Sequence, residues 1–392
     1  MEIIIVAPCP VPLVIGGAER LWSGLLDHLN RNTPHVADII KLPGAERNFV
    51  EVVDSYRRFS ELDLRNYELV ISSKYPGWMT DHPNHVCYML HPLRGLYDTY
   101  PRHLPPEYET RHPEIRALLG LLRGSDQSRD ALAECFARVG RLTGRGRRRR
   151  LGLPVPGDAY AFPGPLIREI VHFCDRIGMS SVRRFAAISE SVASRPGYFP
   201  PGAEVTAVHP APNLSVFHPP REGAYFFTVS RLDAPKRIDL LIEATKQLGA
   251  DAELRIAGTG PDGDRLRELA GSDPRIRFLG FVGDDALLDL YADARAVLFV
   301  PFEEDFGLVT LEAMRAAKPV VTATDSGGAS ELVTDGQTGL ITDPNPDAIA
   351  RAMATLHRDP ALAKTMGERA RDRATEVTWE RVCAVLLDGL DR

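Results

Sequence analysis

The 392-residue sequence has no long hydrophobic run. Its longest apolar stretches, Ile3–Ala7 and Ala296–Val300, have the length of core strands, whereas a helix that spans a bilayer needs about 20 apolar residues. The first residues, Met1–Val6, also lack the basic flank and apolar stretch of a secretory signal peptide. We therefore expect a cytoplasmic protein, and peripheral contact with the inner face of a membrane stays open.

The sequence is also poor in cysteine and has no excess of positive charge. The cysteines are five in number, lie far apart and include no C-x-x-C pair: Cys9, Cys87, Cys135, Cys174 and Cys383. This pattern argues against a disulfide framework and a zinc site, so we expect buried, reduced thiols. A net charge of -6 and a pI near 6.0 argue against a nucleic-acid partner.

The first part of the chain has the pattern of a Rossmann-like half. Strands are predicted from apolar runs at Glu2–Pro8, Asp38–Leu42, Tyr67–Ser72 and His85–Leu90. The first run is followed by Gly16, Gly17 and a helical pattern, and His91 stands where the fourth run ends. A strand, a glycine-bearing turn and a helix are typical of a nucleotide-binding fold.

Between about residues 97 and 165 the periodic signal weakens, and Pro, Gly and Arg become frequent. We interpret this segment as an insertion with helices at Glu114–Leu122 and Ser128–Val139. Arg145–Arg150 lies in a run of arginines with few apolar neighbours. Such a run is either a solvated loop or a site for an anionic lipid or acceptor.

The second half alternates strand and helix patterns from Ala224 to Arg358. A Pro-rich segment at about residues 210–222 separates it from the first half and predicts a domain boundary. The alternation predicts a parallel sheet covered on both faces, with ligands at the carboxyl ends of its strands.

Three of those strand ends carry groups that suit a phosphate-bearing ligand. Arg231 and Lys236 follow the first strand, Gly258 and Gly260 follow the second, and the segment from Glu304 to Glu312 follows the fourth. Two fixed cations can neutralise a diphosphate, and a helix that begins near Leu308 directs amide groups and a positive dipole end towards an anion. The alternative is that Glu304 and Glu312 are ordinary solvated acids.

The segment from Gly258 to Gly263 also fits the G-x-G-x-x-G pattern of dinucleotide binding. The acidic residue that should follow the next strand is absent, because Gly280, Phe281 and Val282 stand there. We therefore do not favour a nicotinamide cofactor.

Taken together, the motifs resemble the retaining glycosyltransferases of family 4. The resemblance is carried by the two cations, the glycine turn, the E-x7-E pair, Ser326–Gly328 followed by Glu331, and Asp335–Gly339. It covers about residues 210–345 specifically and does not cover the insertion. It implies an α/β protein of the GT-B fold, with two Rossmann-like parallel-sheet domains facing across a cleft. Residues 1–210 would bind the acceptor, 211–375 the donor nucleotide-sugar, and a helix in 376–392 would cross back to the first domain.

The resemblance also implies roles for single residues. Arg231 and Lys236 would hold the donor diphosphate, Glu304 the sugar hydroxyls, and Glu312 the ribose. Further donor contacts would come from the turns and main chains at Gly258, Gly260, Val282, Phe306, Gly307, Leu308 and Val309.

In the first domain, Gly16 and Gly17 would approach the diphosphate, although a simple tight turn is the alternative. His91 would lie beside the reacting face of the donor sugar, unless it is a packed core histidine.

The expected reaction moves a hexosyl group from a UDP- or GDP-sugar to an acceptor hydroxyl without a metal or other cofactor. The acceptor is a glycan, a lipid-linked intermediate or a small molecule. No carboxylate in the first domain stands out as a nucleophile, so we favour same-face attack, in which the departing phosphate takes the acceptor's proton. A nucleotide-sugar epimerase of the same fold and a non-catalytic sugar-nucleotide binder are the alternatives.

Overall fold

The computed structural model describes residues 1–10, 16–44, 46–144, 155–212, 214 and 217–389. Two compact units emerge. Unit 1 comprises Met1–Ile188, Val192–Val208 and Cys383–Arg392, and unit 2 comprises Ser189–Ser191 and His209–Val382. The arginine run Arg145–Arg150 lies outside the described residues.

Unit 1 is built on a six-stranded sheet in the order β2-β1-β3-β4-β5-β6, in which every neighbouring pair is parallel. Its strands are β1 (Glu2–Cys9), β2 (Val36–Pro43), β3 (Leu69–Lys74), β4 (His85–His91), β5 (Arg184–Ala187) and β6 (Val205–Ala207). Its helices are α1 (Gly17–Asn32), α2 (Phe49–Ser60), α3 (Pro113–Leu122), α4 (Arg129–Leu142) and α5 (Pro165–Ser180). Residues Ile3–Ala7 of β1 are buried, as expected for an interior strand of a parallel sheet covered on both faces.

Unit 2 has a second parallel sheet, in the order β12-β11-β10-β7-β8-β9. Its strands are β7 (Tyr225–Val229), β8 (Leu254–Ala257), β9 (Ile276–Gly280), β10 (Ala294–Leu298), β11 (Val320–Ala323) and β12 (Gly339–Thr342). The short helix α6 (Glu190–Ala193) begins in the part of the chain grouped with this unit. The other helices are α7 (Ile238–Lys246), α8 (Gly263–Ala270), α9 (Asp284–Asp293), α10 (Leu308–Arg315), α11 (Gly328–Glu331), α12 (Pro346–Arg358), α13 (Pro360–Ala374) and α14 (Trp379–Leu387).

The two parallel sheets confirm the predicted α/β class with two Rossmann-like halves. Helix α14 begins in unit 2, and its residues from Cys383 onwards are grouped with unit 1. There the Arg184 guanidinium donates to the carbonyl of Val385 at 3.1 Å. Among the described residues, no helix has the length and hydrophobicity to cross a bilayer.

Helix α2 was not predicted, although its sequence carries a helical signal. Phe49, Val52, Val53, Tyr56 and Phe59 are buried and recur at the spacing of one helix face. The Asn48 side chain caps the helix by accepting from the amide of Glu51 at 3.0 Å. The missed element therefore follows ordinary rules.

A buried carboxylate on α5 joins helix α2 and the segments after β3 and β4 in unit 1. Asp175 on α5 accepts hydrogen bonds from Trp78 Nε1 at 2.7 Å, from the Tyr97 hydroxyl at 2.6 Å and from the Tyr56 hydroxyl at 3.3 Å. Trp78 follows β3 and Tyr97 follows β4, so the cluster fixes the chain beyond the carboxyl ends of both strands. Burial raises the pKa of Asp175 to about 6, against the lowering effect of its three donors.

The raised pKa of Asp175 predicts a specific pH dependence of stability. The folded protein holds the proton more tightly than the unfolded chain, so this contribution to stability is present at low pH and is lost as pH rises through about 6. Between pH 5 and pH 7.5 it should fall by about 1.4 kcal/mol, which is one pKa unit. Urea unfolding of the wild type and of Asp175→Asn at both pH values isolates the effect. An equal difference between the two proteins at pH 5 and pH 7.5 would contradict the assignment.

Candidate active site

The candidate site lies at the carboxyl edge of the sheet in unit 2. In the order β12-β11-β10-β7-β8-β9 the winding reverses between β10 and β7. Open parallel sheets bind ligands outside the carboxyl ends of the strands at such a reversal. The loop after β7 carries Arg231 and Lys236, and the loop after β10 carries Glu304. The predicted cations and the predicted acid therefore leave the sheet on either side of the reversal.

Lys236 and Glu304 form an ion pair at this position. Lys236 Nζ lies 2.5 Å from Glu304 Oε2, and the side chains are 20% and 23% exposed. The Lys236 Nζ also lies 5.7 Å from the centroid of the Phe299 ring. Partial burial beside an aromatic ring lowers the local screening and makes this attraction stronger than that of a surface pair. The site thus holds one positive and one negative group in direct contact.

Arg237, which sequence reasoning did not single out, fixes the loop that carries Lys236. Its backbone has a positive φ of 50°. Its guanidinium donates to the carbonyls of Val300 at 2.8 Å and Pro301 at 2.6 Å and forms two bonds of 2.6 and 2.8 Å with the Asp325 carboxylate. These contacts join the loops after β7, β10 and β11. Two of the acceptors are main-chain carbonyls, and no sequence pattern identifies them.

The chain after β11 packs directly against the backbone of Glu304. The Gly328 amide donates to the Glu304 carbonyl at 2.9 Å, and Gly327 has a positive φ of 59°. A Cβ atom on Gly327 would lie 2.5 Å from the same carbonyl oxygen. The two glycines of the Ser326–Gly328 motif are thus required by close packing, and they hold Glu304 in place.

Gly307 begins the turn into α10, as the sequence predicted. It has a positive φ of 77°, and a Cβ atom there would lie 2.6 Å from the Phe299 ring. Helix α10 then begins at Leu308. The amides of Leu308 and Val309 belong to its first turn and have no acceptor within the helix. The helix therefore directs amide groups and its positive dipole end towards this edge of the sheet.

Neither acid of the E-x7-E pair is an ordinary solvated surface acid, because Glu304 is only 23% exposed and paired with Lys236, and Glu312 is buried. Glu312 is 6% exposed, and its Oε2 accepts a hydrogen bond from the Tyr291 hydroxyl at 2.8 Å. Tyr291 is fully buried and was not predicted as part of the site. One oxygen of Glu312 is therefore oriented by the protein itself.

Phe306, in the loop after β10, and Glu331, at the end of α11, contact the segments at 189–191 and 209. The buried Phe306 ring stacks on His209 with centroids 5.0 Å apart. The Glu331 carboxylate accepts from His209 Nε2 at 3.0 Å and from the amides of Ser191 at 2.6 Å and Glu190 at 2.9 Å. Burial alone would raise the pKa of Glu331, but these donors hold it at about 2. Phe306 thus has a packing role within unit 2.

Gly258 and Gly260 bring the loop after β8 against the loop that carries Arg231. A Cβ atom would lie 1.9 Å from the Ser230 carbonyl oxygen at Gly258, and 2.2 Å from the Leu232 carbonyl oxygen at Gly260. The Arg231 side chain is 71% exposed and lies 3.5 Å from Asp233. Within the described part of the chain, no hydrogen bond or ion pair joins Arg231 or Val282 to the Lys236–Glu304 pair.

The predicted residues of unit 1 lie after β1 and at the end of β4. Gly16 precedes α1, and its amide donates to Glu19 Oε2 at 3.1 Å, while a Cβ atom on Gly17 would have no neighbour within 4 Å. His91 is the last residue of β4, as predicted, and its Nδ1 lies 2.8 Å from the carbonyl oxygen of Pro92. A carbonyl only accepts, so Nδ1 carries the proton of this bond. In the neutral ring Nε2 is then the nitrogen without a proton.

Comparison with known proteins supports the motifs of unit 2. Residues 215–373 match the family of glycosyl transferases group 1. Relatives include D-inositol 3-phosphate glycosyltransferases of Streptomyces bingchenggensis, 31% identical over 47% of this chain and 47% of the relative, and of Kineococcus radiotolerans, 30% identical over 59% and 61%. A GDP-mannose-dependent alpha-(1-6)-phosphatidylinositol dimannoside mannosyltransferase of Mycobacterium tuberculosis is 34% identical over 45% of this chain and 50% of its own length. The predicted resemblance to glycosyltransferases is confirmed for this segment.

Two solved structures share the fold over nearly the whole chain. Sucrose-phosphate synthase from Thermosynechococcus elongatus has a TM-score of 0.64 and 16% identity and covers 97% of this chain and 96% of its own. The Anabaena protein HepE, solved with UDP and glucose, has a TM-score of 0.61 and 16% identity over 100% and 99%. The predicted GT-B fold class is confirmed. The chain spans about half the length of the curated relatives that it matches.

The contacts of Arg237 predict that a lysine cannot replace it. Arg237→Lys leaves at least two of its four acceptor contacts unmade, and unpaired half-buried acceptors cost about 2–4 kcal/mol in total. We expect a corresponding fall in the free energy of unfolding, measured by urea titration. Arg231→Lys, at an exposed position, is the matched control and should change stability by less than about 0.5 kcal/mol. Equal stability of the two variants would contradict the role of Arg237.

Proposed function

We propose that the protein is a glycosyltransferase that moves a hexosyl group from a nucleotide-diphosphate sugar to an acceptor hydroxyl, with retention of configuration. The observation that carries the proposal is the 2.5 Å contact of Lys236 with Glu304 at the sheet reversal, beside the first turn of α10. A diphosphate needs cations and amide donors, and a sugar needs a carboxylate that accepts from hydroxyls. This edge of the sheet offers all of them.

The donor diphosphate would take Lys236 as its main charged partner. Its negative charge competes with Glu304 for the ammonium group, and binding then leaves the Glu304 carboxylate available to accept hydrogen bonds from sugar hydroxyls. Arg231, exposed on the same loop, and the first-turn amides of α10 would add to the stabilisation of the leaving nucleotide. Glu312, oriented by Tyr291, would accept from the ribose.

In unit 1, Gly16, Gly17 and His91 retain the roles that the resemblance implies. Gly16 and Gly17 would approach the diphosphate, and His91 would lie beside the reacting face of the donor sugar. Retention would follow from same-face attack, in which the departing phosphate takes the acceptor's proton. The acceptor would be a glycan, a lipid-linked intermediate or a small molecule. The protein would act in the cytoplasm, either free or in peripheral contact with the membrane.

Relatives support two donor bases. One curated relative is named as GDP-mannose-dependent, and a protein of the same fold was solved with UDP and glucose. We therefore propose a UDP- or GDP-hexose. Thermal stabilisation by a panel of both kinds of sugar nucleotide identifies the donor, since a ligand at 100 times its Kd adds about 2.7 kcal/mol.

With that donor, charge removal at the site should weaken binding and turnover together. Each lost charged contact is worth about 1.5–3 kcal/mol, so Arg231→Ala should cost about tenfold in kcat/KM. Lys236→Ala should cost about a hundredfold, because it also leaves the Glu304 carboxylate unpaired beside the diphosphate. Steady-state kinetics and calorimetric Kd values measure both effects. Arg369→Ala, an exposed position on α13 of the same unit, is the control.

Unchanged kinetics in both variants would refute the donor site. Product analysis distinguishes the alternatives: an epimerase converts the sugar nucleotide without an acceptor, whereas a transferase releases the nucleoside diphosphate. A protein that binds the donor but shows the same negligible turnover as its Glu304→Ala variant would be a non-catalytic binder.

Transfer should not depend on a metal ion, because Lys236 and Arg231 supply the positive charge that a metal provides in other transferases. Activity after treatment with EDTA and desalting should stay within about twofold of the untreated enzyme. A loss of more than about tenfold that added Mg²⁺ or Mn²⁺ restores would overturn this part of the proposal.

A further inference from the structure

A polar groove lies in the insertion of unit 1. It has a volume of about 630 Å³ and is lined by the segment 108–111, by one side of helix α3 and by Arg123. The lining combines the charged residues Glu109, Arg111 and Arg116 with Leu119 and Gly120 of α3. It therefore offers guanidinium groups, a carboxylate and a small aliphatic surface.

Two of the arginines of the groove have uncompensated charge. Arg123 is committed to Glu169, with bonds of 2.7 and 2.9 Å to its two carboxylate oxygens. Arg111 and Arg116 are exposed, and neither has an ion pair or side-chain hydrogen bond with any residue that the structure describes. Guanidinium groups in this situation suit a carboxylate or a phosphate, which they can bind through two parallel bonds.

Gly120 has no reason within the described chain to be glycine. It lies inside α3, where glycine is less favourable than any residue except proline. A Cβ atom at this position would meet nothing within 4 Å. The space beside it is therefore open, and Gly120 is part of the groove lining. The missing side chain keeps the groove open, and a ligand explains why it is kept open.

The groove is firmly attached to the core of unit 1. The Tyr108 amide donates to Glu169 Oε1 at 2.8 Å, and the same carboxylate binds Arg123. Glu169 lies near the start of α5, whose C-terminal end leads into β5, so this part of α5 lies towards the carboxyl edge of the parallel sheet. The ligand-binding edge of this fold type is that same edge.

We propose that the groove binds the anionic part of the acceptor, a saccharide that carries a carboxylate or a phosphate. Arg111 and Arg116 bind the anion, Glu109 accepts from hydroxyls, and the aliphatic surface at Leu119 and Gly120 packs against a sugar ring. An open groove with this many charged groups does not suit a lipid tail. The identification of the ligand as the acceptor rests on the proposed function, whereas the binding itself does not.

Calorimetry on the full chain tests the binding directly. The probes are a glucuronate-containing oligosaccharide, a hexose phosphate and a neutral oligosaccharide of the same size as the first, so that the carboxylate and phosphate sources are distinguished. At least one anionic probe should bind at least about tenfold more tightly than the neutral one. Arg111→Ala and Arg116→Ala should each weaken that binding by about tenfold. Arg351→Ala, an exposed arginine on α12, is the control.

Gly120→Leu separates binding from folding. Leucine is a better helix former than glycine, so the thermal midpoint of this variant should equal or exceed that of the wild type. Its side chain fills the groove, and binding of the anionic probe should be lost. Equal affinity for the charged and neutral probes, no binding of either anionic probe, or unchanged binding in all three variants would each overturn the proposal.

Donor hydrolysis without acceptor distinguishes this failure from that of the proposed function. The three variants should retain the wild-type rate of donor hydrolysis, because none of them changes a residue of unit 2. If the wild type binds the anionic saccharide but neither binds nor hydrolyses any sugar nucleotide, the transferase proposal fails and the binding site stands. If the wild type hydrolyses the donor but the groove variants bind the saccharide as the wild type does, the groove proposal fails and the transferase proposal stands.

Discussion

The contact between Lys236 and Glu304 is the interaction that the loops at the carboxyl edge of unit 2 are arranged to hold. The two residues lie 68 positions apart and leave the sheet on opposite sides of its winding reversal. The two groups stay in contact only if both loops are held in place, and several other contacts hold them. Arg237 binds the loops after β7, β10 and β11 together, and Gly327 and Gly328 pack on the Glu304 backbone. The ion pair is thus the product of a rigid edge, and a ligand that enters must replace it with interactions of at least equal strength.

The glycines of the site have a more immediate explanation than ligand approach. Gly258 and Gly307 have positive φ, and a Cβ atom at either would overlap chain atoms within 2.6 Å. Gly260 and Gly327 are required by equally close contacts with neighbouring loops. The sequence motif that suggests a phosphate cradle therefore reports, first of all, that several loops converge at one edge. Their convergence is what creates a site, and the roles of the individual glycines towards a donor remain part of the proposed function.

The fold and the location of the site could be predicted because both follow from local patterns. Apolar runs of strand length alternate with helical patterns, and polar or glycine residues mark each strand end, so Lys236, Glu304 and His91 could be placed at carboxyl ends without coordinates. The partners of those residues could not. Arg237 acts on main-chain carbonyls and on Asp325, 88 residues away, and Tyr291 reaches Glu312 from a different helix. Such contacts depend on how loops cross in space, which periodicity does not encode. Helix α2 is a different case, since the spacing from Phe49 to Phe59 was sufficient to predict it.

The two units fix their loops by different kinds of contact. Unit 2 uses short glycine motifs and one arginine, and its sequence matches a broad family over residues 215–373. Unit 1 uses two acids on one helix: Asp175 fixes the chain after β3 and β4, and Glu169 fixes the insertion through Tyr108 and Arg123. A carboxylate that gathers donors from separate loops tolerates changes in the residues between those donors, because only the donors must stay. The insertion can therefore change its surface groove while its attachment to α5 is preserved. Under the proposed function, acceptor selection would depend on unit 1 and donor binding on unit 2.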